Sequence, residues 1–245
     1  MSTWVLLRGW AREARHWGSF PAQLAAALGG IRIVAADLPG SGKLYQRRSP
    51  WRIGPIAEDV RQALALSGPL YLLGISMGAM VSVEWARRHG AEIAGCVLLN
   101  TSLRPFSAFH ERLRPRTYAT LARLALFERE PRAREEAILR LTSAGAPSGA
   151  LVAEWARYAQ EQPVSRGNVL RQLVAAAGYR APESPPAPVL VLASRRDDLV
   201  DVRCSFTLAT RWQVPICVHE SAGHDLALDD GAWVAARVAD WVRRS

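Results

Sequence analysis

Cysteine is scarce in this chain: only three occur among 245 residues, at Cys96, Cys204 and Cys217. An odd number of widely spaced cysteines predicts neither a disulfide framework nor a metal-binding knuckle. We therefore expect a protein of the reducing cytoplasm that holds no structural metal.

Long apolar stretches are missing as well. No run reaches the roughly 18 apolar residues that a membrane-spanning helix requires. Near the N-terminus, the apolar run that begins at Trp4 meets Arg8 too soon to form the centre of a secretory signal. The sequence therefore predicts no association with a membrane.

Lysine is almost absent, since Lys43 is the only one among 31 basic residues, and arginine carries the net charge of +9. A basic surface can attract nucleic acid, anionic lipid or an acidic protein. The arginines are scattered, however, without the aromatic interleaving of nucleic-acid modules, so we expect no nucleic-acid binding. With 49% hydrophobic and 22% charged residues, the composition is typical of a globular protein with a substantial core.

Short apolar runs recur along the chain, with longer amphipathic segments between them. Near-continuous apolarity, rather than alternation, is what a strand covered on both faces of a sheet requires. Helix-like segments near 14–28, 55–67 and 77–90 separate the first four runs. This order predicts parallel strands with right-handed crossovers, hence a three-layer α/β/α sandwich with a mainly parallel sheet. The runs predicted as strands are 4–7, 31–36, 70–73, 96–99, 189–192 and 216–218.

The alternation stops after the fourth run and resumes at the fifth. From 101 to 185 the sequence shows only helical patterns and ends in a stiff proline-rich connector. Two further helices, 201–212 and 231–243, follow it. So long a helical insertion between two strands predicts a cap over the carboxyl edge of the sheet, with 1–100 and 186–245 as the core. The helical patterns within the predicted cap are 116–127, 131–142, 149–160 and 166–177.

A Gly-Ile-Ser-Met-Gly pentapeptide, residues 74–78, lies between a predicted strand and a predicted helix. A serine on such a tight turn has a strained backbone and crowded neighbours, which explains the flanking glycines. The helix N-terminus would aim the N–H of Met77 at a developing oxyanion. A small-residue turn that merely lets the helix pack on the strand is the alternative. Placement at the carboxyl end of a buried strand, where open α/β sheets bind ligands, favours Ser76 as a nucleophile.

A serine nucleophile needs a base, and the chain has five histidines. His16 and His89 lie among arginines and are predicted to be surface residues. His110 lies at the start of the predicted cap, and His219 ends a strand. His224 follows the last strand at the same sheet edge as Ser76, which favours it as the base. A loop histidine that binds the neighbouring aspartate is the alternative.

The base needs a carboxylate to hold its tautomer, and three aspartates follow the fifth strand. Asp198 and Asp201 could cap the next helix, a common role for aspartate before an apolar pattern. Asp197 is nearest to the strand end, which favours it, with Asp198 as the alternative.

The chain order Ser76, Asp197, His224 resembles the α/β-hydrolase superfamily, with the acid after the strand before last and the histidine after the last. Matching segments cover nearly the whole chain, and Asp-x-Leu-Val at 197–200 resembles the family's acid motif, which favours Asp197. The compact size, the helical cap and Leu-Leu-x-Gly-Trp most resemble the pimeloyl-ACP methyl ester carboxylesterase branch. The other matching segments are Arg-Gly-Trp at 8–10, Asp-Leu-Pro-Gly-Ser-Gly at 37–42 and Gly-His at 223–224.

Two positions depart from the family pattern. Arg8 stands where the family usually has the histidine of its oxyanion loop, and Ala79 replaces a frequent glycine. The resemblance implies that the N–H groups of Trp10 and Met77 form the oxyanion hole.

These features predict a serine carboxylesterase that works through an acyl-enzyme, without cofactor or metal, on a small ester or acyl substrate. A thioesterase or carbon–carbon bond hydrolase would use the same triad. A cofactor-free lyase or peroxidase-like enzyme and a non-catalytic ligand receptor are further alternatives on this fold. We consider Arg8, Ile75 and Trp155 as candidate substrate contacts, and a monomer or a homodimer as the assembly.

The start of the predicted cap is strongly basic, with Glu111 as its only acidic residue between 101 and 125. Such a surface could dock an acidic acyl-carrier protein or pair with a substrate carboxylate. A solvated arginine face in an arginine-rich chain is the simpler interpretation. The arginines concerned are Arg104, Arg112, Arg114, Arg116 and Arg123.

Overall fold

A computed structural model of the chain describes residues 2–126 and 128–244. All six predicted strands are present and pair in parallel, in the order β2-β1-β3-β4-β5-β6. Together with the helices on both faces, they confirm the predicted α/β class. The strands are β1 (Thr3–Leu7), β2 (Arg32–Ala36), β3 (Leu70–Ile75), β4 (Ile93–Leu99), β5 (Val189–Ser194) and β6 (Ile216–His219).

The helices follow the predicted segments closely. The segment 14–28 is divided, because Gly18 has a φ of 52° between a 3₁₀ turn at Ala14–Trp17 and α1. Residue 127, the end of one predicted helix, lies outside the described residues. Two one-turn helices, α4 and α10, have no counterpart in the prediction. The helices are α1 (Phe20–Ala27), α2 (Ile53–Leu64), α3 (Met77–Arg88), α4 (Phe109–Arg112), α5 (Tyr118–Leu126), α6 (Pro131–Thr142), α7 (Gly149–Glu161), α8 (Arg166–Gly178), α9 (Arg203–Trp212), α10 (Leu226–Asp229) and α11 (Gly231–Val242).

The sheet separates two apolar cores. Successive side chains of a strand point to opposite faces, so that Leu72 packs with α2, α3 and α9, whereas Leu73 packs with α1, α10 and α11. Both side chains are fully buried. Burial on both faces explains why the strands are apolar without alternation.

The strand order reverses beside β1. The chain leaves β1 towards β2 on one side, and β3 lies on the other side. Loops that leave neighbouring strands in opposite directions open a crevice at the carboxyl edge of the sheet. The loop after β1 and the turn after β3, which carries Ser76, meet at this point.

The helical insertion, residues 101–185 with α4 to α8, contacts the loops at that edge. The side-chain N–H of Gln172 on α8 donates to the carbonyl of Pro39, 3.1 Å away. The N–H of Asp225, after β6, donates to the carbonyl of Thr142 at the end of α6, 2.7 Å away. The N–H of Ala181 donates to the carbonyl of Arg104 at 2.7 Å and joins the two ends of the insertion. The boundaries of a separate cap domain stay a prediction.

Within residues 2–126 and 128–244, no helix combines the length and the apolarity that crossing a membrane demands.

Candidate active site

Ser76 lies on a sharp turn between β3 and α3. Its φ of 55° and ψ of −116° fall in a region that residues other than glycine rarely adopt. Two hydrogen bonds hold the turn: the Ser76 N–H donates to the Leu99 carbonyl at 2.9 Å, and the Thr101 hydroxyl donates to the Ser76 carbonyl at 3.0 Å. Leu99 and Thr101, at and just after the end of β4, thus help to hold Ser76 in this strained conformation at the carboxyl edge of the sheet.

The two glycines of the pentapeptide are required by close packing. A Cβ atom on Gly74 would lie 2.4 Å from the carbonyl carbon of Gly78. A Cβ atom on Gly78 would lie 2.1 Å from the carbonyl oxygen of Leu7, at the end of β1. Both distances are far below van der Waals contact, so a larger residue at either position would displace the turn.

His224 is bound to Asp197. Its Nδ1 lies 2.7 Å from Oδ2 of Asp197, and both side chains are buried. The other carboxylate oxygen, Oδ1, accepts the N–H groups of Leu199 and Val200 at 2.8 and 2.9 Å. With three donors on the Asp197 carboxylate, the imidazole is held with the proton on Nδ1, which leaves Nε2 able to accept a proton.

The structure distinguishes among the three aspartates after β5. Asp198 is exposed and forms an ion pair with Arg116 of the insertion. Asp201 accepts the backbone N–H of Arg203 at 3.0 Å, at the start of α9. Asp197 is therefore the aspartate of this loop that meets His224.

Three charged groups determine the protonation of His224. Burial alone lowers the pKa of this imidazole, but the Asp197 carboxylate, through its charge and hydrogen bond, and Asp225 raise it. The Arg8 guanidinium acts in the opposite direction. The net result is a pKa above its ordinary value of about 6.5.

Asn100, which the sequence analysis did not single out, fixes the loop of His224. Its side-chain N–H₂ donates to the His224 carbonyl at 2.8 Å and to the Ser194 hydroxyl at 2.9 Å. Its side-chain oxygen accepts the Ser194 N–H at 2.7 Å. Its φ of 43° turns the chain sharply after β4. A polar residue directly after a buried strand was the signal that could have identified it.

Ser76 and His224 both line a cavity of about 500 Å³ beneath the insertion. Among residues 2–126 and 128–244 no side-chain hydrogen bond joins them. Contacts of this kind often tighten only when substrate is bound. The cavity wall is mainly apolar, and its aliphatic side chains include Leu113, Leu121, Leu124, Ile138, Leu141 and Leu173.

The two predicted oxyanion donors adjoin residues at the nucleophile: Met77 follows Ser76, and Trp10 follows Gly9, where a Cβ atom would lie 3.3 Å from the Ser76 Cβ. Met77 is the first residue of α3, whose first N–H groups have no acceptor within the helix. Trp10 lines the cavity, and its indole N–H donates to the Val169 carbonyl at 2.8 Å, which anchors the loop after β1. Their role as oxyanion donors stays a prediction.

Of the three candidate substrate contacts, two line the cavity and one does not. Ile75 lines the cavity. Arg8 also lines it, but its guanidinium is bound to Asp225 and is only 3% exposed. Trp155 is absent from the cavity wall and packs with Tyr158 in a cluster within the insertion. Its ring faces His16 edge-on at 4.5 Å, so the structure corrects its placement from substrate contact to packing.

His16 is buried rather than exposed, so the expectation of a surface residue is wrong. Only 6% of it is accessible, and its Nδ1 accepts the Glu13 N–H at 3.0 Å. The neighbouring Arg12 forms an ion pair with Glu135 of the insertion, a partner that its sequence neighbours do not reveal. Burial, followed by the charges of nearby arginines, lowers the pKa of His16 well below its ordinary value. His16 is thus a neutral part of the cavity wall without a carboxylate to orient its ring.

The remaining histidines lie elsewhere. His89 is half-buried, and its Nε2 lies 2.8 Å from Glu58. His219 ends β6 with its Nε2 3.2 Å from Asp230, and His110 is exposed.

Comparison with known proteins accords with this geometry. The model of the alpha/beta hydrolase family matches residues 4–237. The chain belongs to this family.

Curated proteins with detectable sequence similarity to this hydrolase include an esterase and a bifunctional protein. The pimeloyl-(acyl-carrier protein) methyl ester esterase of Aromatoleum aromaticum is 28% identical over 257 residues, which cover 98% of this chain and 97% of the relative. The biotin biosynthesis bifunctional protein BioHC of Teredinibacter turnerae is 34% identical over 103 residues. That match covers 41% of this chain and only 17% of BioHC.

Among solved structures, a thermophilic esterase from Thermogutta terrifontis superposes with a TM-score of 0.73 at 19% identity. The alignment covers 100% of this hydrolase and 90% of that chain. At this identity the likeness concerns the fold.

We predict that replacing Asn100 by Ala impairs catalysis without preventing folding. The substitution frees the loop of His224 and leaves a buried carbonyl unpaired, at a cost of about 1–3 kcal/mol of stability. A displaced base should lower kcat by about 100-fold. Measuring kcat and the urea midpoint of unfolding for the wild type and for Asn100→Ala distinguishes a loss of catalysis from a loss of folding.

Asn100→Asp is a second test variant, because it keeps the oxygen that accepts from Ser194 and removes the donor to His224. It should lose activity as Asn100→Ala does. Full activity of both variants would contradict the assigned role.

Proposed function

We propose that this hydrolase is a serine carboxylesterase in which Ser76 is the nucleophile, His224 the general base and Asp197 the orienting acid. The observation that carries the proposal is the 2.7 Å contact of His224 with a fully satisfied Asp197, in the wall of the cavity that Ser76 also lines. A buried carboxylate with this hydrogen bonding serves to hold an imidazole in one tautomer.

The reaction runs in two acyl-transfer steps. His224 Nε2 takes the Ser76 proton while Oγ attacks the ester carbonyl, and the oxyanion is bound by the N–H groups of Met77 and Trp10. Each donor contributes about 3 kcal/mol to stabilising the transition state. The proton on His224 then passes to the departing alcohol. In the second step His224 deprotonates a water that attacks the acyl carbonyl, and the proton returns from His224 to Ser76 Oγ as the bond to the acyl group breaks and the acid is released.

The substrate class follows from the cavity and from the relatives. An apolar wall and a volume of about 500 Å³ suit an extended acyl chain. The Aromatoleum relative is named for the methyl ester of an acyl group on a carrier protein. We infer that this hydrolase cleaves simple alkyl esters whose acyl group is longer than acetyl.

An acidic acyl-carrier protein remains the proposed partner, but fewer arginines are free to meet it than the sequence indicates. Arg112 is buried and donates to the Ala177 carbonyl at 3.1 Å. Arg114 lies 3.5 Å from Asp201, and Arg116 pairs with Asp198. Of the five arginines between 101 and 125, the exposed Arg104 and Arg123 are left for a partner. Cytoplasmic location and the assembly state stay predictions.

Fluorophosphonate labelling tests the triad. We expect the wild type to label and Ser76→Ala not to label, because the probe reacts with an activated serine. Asp197→Asn should reduce the labelling rate by about 10³–10⁴-fold, as loss of the correct tautomer does in serine hydrolases. Asp198→Asn, the matched control, should label like the wild type.

Circular dichroism of each variant establishes that it is folded. Undiminished labelling of Ser76→Ala, or a loss confined to Asp198→Asn, would refute the assignment. A folded wild type that does not label would favour a ligand receptor on the same fold.

A series of p-nitrophenyl esters tests the acyl cavity. We expect kcat/KM to rise by about fourfold for each added methylene, from the roughly 0.8 kcal/mol of its burial, until the chain fills the cavity. Leu173→Trp, which narrows the cavity, should shorten the preferred chain. Leu170→Trp on the same helix is the control, since Leu170 is 53% exposed.

Thioesters of the same acyl groups are then compared with the p-nitrophenyl esters. The ratio of their kcat/KM values shows whether the enzyme prefers an ester or a thioester bond. An identical chain-length optimum in wild type and Leu173→Trp would contradict the placement of the acyl chain.

A further inference from the structure

The proposed mechanism gives no role to the buried ion pair between Arg8 and Asp225 in the cavity wall. The two guanidinium NH₂ groups of Arg8 donate to the two carboxylate oxygens of Asp225, at 3.0 and 2.5 Å. Both side chains are almost fully buried, with exposures of 3% and 4%. The guanidinium also lies 4.8 Å from the centre of the Trp17 ring.

The pair joins two loops that lie 217 residues apart in sequence. Arg8 follows β1 directly, and its carbonyl oxygen would lie 2.6 Å from a Cβ atom on Gly78, in the turn of the nucleophile. Asp225 adjoins His224, and its N–H donates to the Thr142 carbonyl of the insertion at 2.7 Å. One ion pair therefore connects the oxyanion loop, the loop of the base and the insertion.

The ion pair of Arg8 and Asp225 affects the base because both residues are among the charged groups near His224. Asp197 binds Nδ1, Asp225 is the next residue in the chain, and Arg8 reaches Asp225 from the loop after β1. Asn100 and Ser76, which approach from the neighbouring strands, are uncharged. Without Arg8, the imidazole would therefore lie near two carboxylates in a buried site, and Asp225 would have lost its cation.

We propose that Arg8 and Asp225 are positioning residues for the base: the pair fixes the loop of His224 against the oxyanion loop and neutralises Asp225, so that the imidazole faces one net negative charge instead of two. This inference rests on the proposed triad. It explains the arginine at the position where the family usually has histidine. A planar guanidinium can bind both carboxylate oxygens at once, which an ammonium group cannot do.

The signs of the expected effects follow from the charges. Asp225→Asn leaves the Arg8 cation unopposed and lowers the pKa of His224. Arg8→Met leaves the Asp225 anion unopposed and raises it. The double variant removes both charges and should return the pKa to the wild-type value. Because the base must be neutral, activity is lost as the pH falls through this pKa, so the acid limb of kcat/KM moves in the same directions.

The test is a titration of His224 by NMR on ¹³C-labelled histidine, in a Ser76→Ala background, beside the pH profile of kcat/KM in the active enzyme. We expect the pKa to fall by about one unit in Asp225→Asn and to rise by a similar amount in Arg8→Met. Arg61→Met is the matched control, because Arg61 pairs with Glu92 on the surface. It should leave the titration of His224 unchanged.

Arg8→Lys separates positioning from charge. It should keep the pKa of His224 near the wild-type value but lower kcat by about tenfold or more, because one of the two hydrogen bonds that fix the loop is lost. If Arg8→Met fails to fold, the proposal is tested by the pKa of His224 and by kcat in Asp225→Asn and Arg8→Lys.

A purely structural ion pair would lower the stability of the single variants and leave the titration of His224 and the acid limb unmoved, which would overturn the proposal. Shifts of both single variants in the same direction would overturn it too. Because the NMR titration needs no turnover, it reports on the ion pair even if Ser76 proves not to be the nucleophile.

Discussion

The turn that carries Ser76 packs directly against the end of β1, and the rest of the site depends on this contact. No side chain fits at Gly78, since a Cβ atom there would lie 2.1 Å from the Leu7 carbonyl oxygen. That contact brings the loop after β1, and with it Trp10, next to Ser76. It also explains why Ser76 tolerates a φ of 55°, because the surrounding strands over-determine the turn. The geometry of nucleophile and oxyanion loop thus depends on the same backbone contact.

Charge is the second constraint on the site. Burying Asp197 and Asp225 near one imidazole is costly unless each carboxylate is compensated. Asp197 receives two backbone N–H groups and the imidazole, and Asp225 receives a guanidinium from Arg8. Asn100 secures the same loop without adding charge. The loop of His224 is therefore fixed from β4, from β5 and from the loop after β1.

Much of this arrangement could be predicted from the sequence, because the relevant signals are local. Apolar runs without alternation predicted the six parallel strands, and glycines two residues on either side of Ser76 predicted the strained turn. Placement at strand ends favoured His224. Asp197 was favoured over Asp198 by position and by the family motif, and the structure adds the reason: Asp198 turns outward to Arg116.

The features that the sequence did not predict depend on contacts between distant residues. His16 looked exposed among arginines, yet Arg12 pairs with Glu135 across 123 positions and allows burial. Arg8 was a candidate substrate contact because the sequence does not show that Asp225, 217 residues away, binds its guanidinium. Trp155 lies on α7, which reaches the cavity through Ala159, but its own ring packs with Tyr158 and against His16.

The central claim is that Ser76 becomes acylated during turnover, and trapping of the acyl-enzyme tests it most directly. The enzyme is mixed with a p-nitrophenyl ester, quenched with acid within the first turnovers, digested and mapped by mass spectrometry. We expect a mass increase equal to the acyl group on the peptide that contains Ser76, and none in Ser76→Ala. An acyl group on another residue, or turnover that persists in Ser76→Ala, would contradict it.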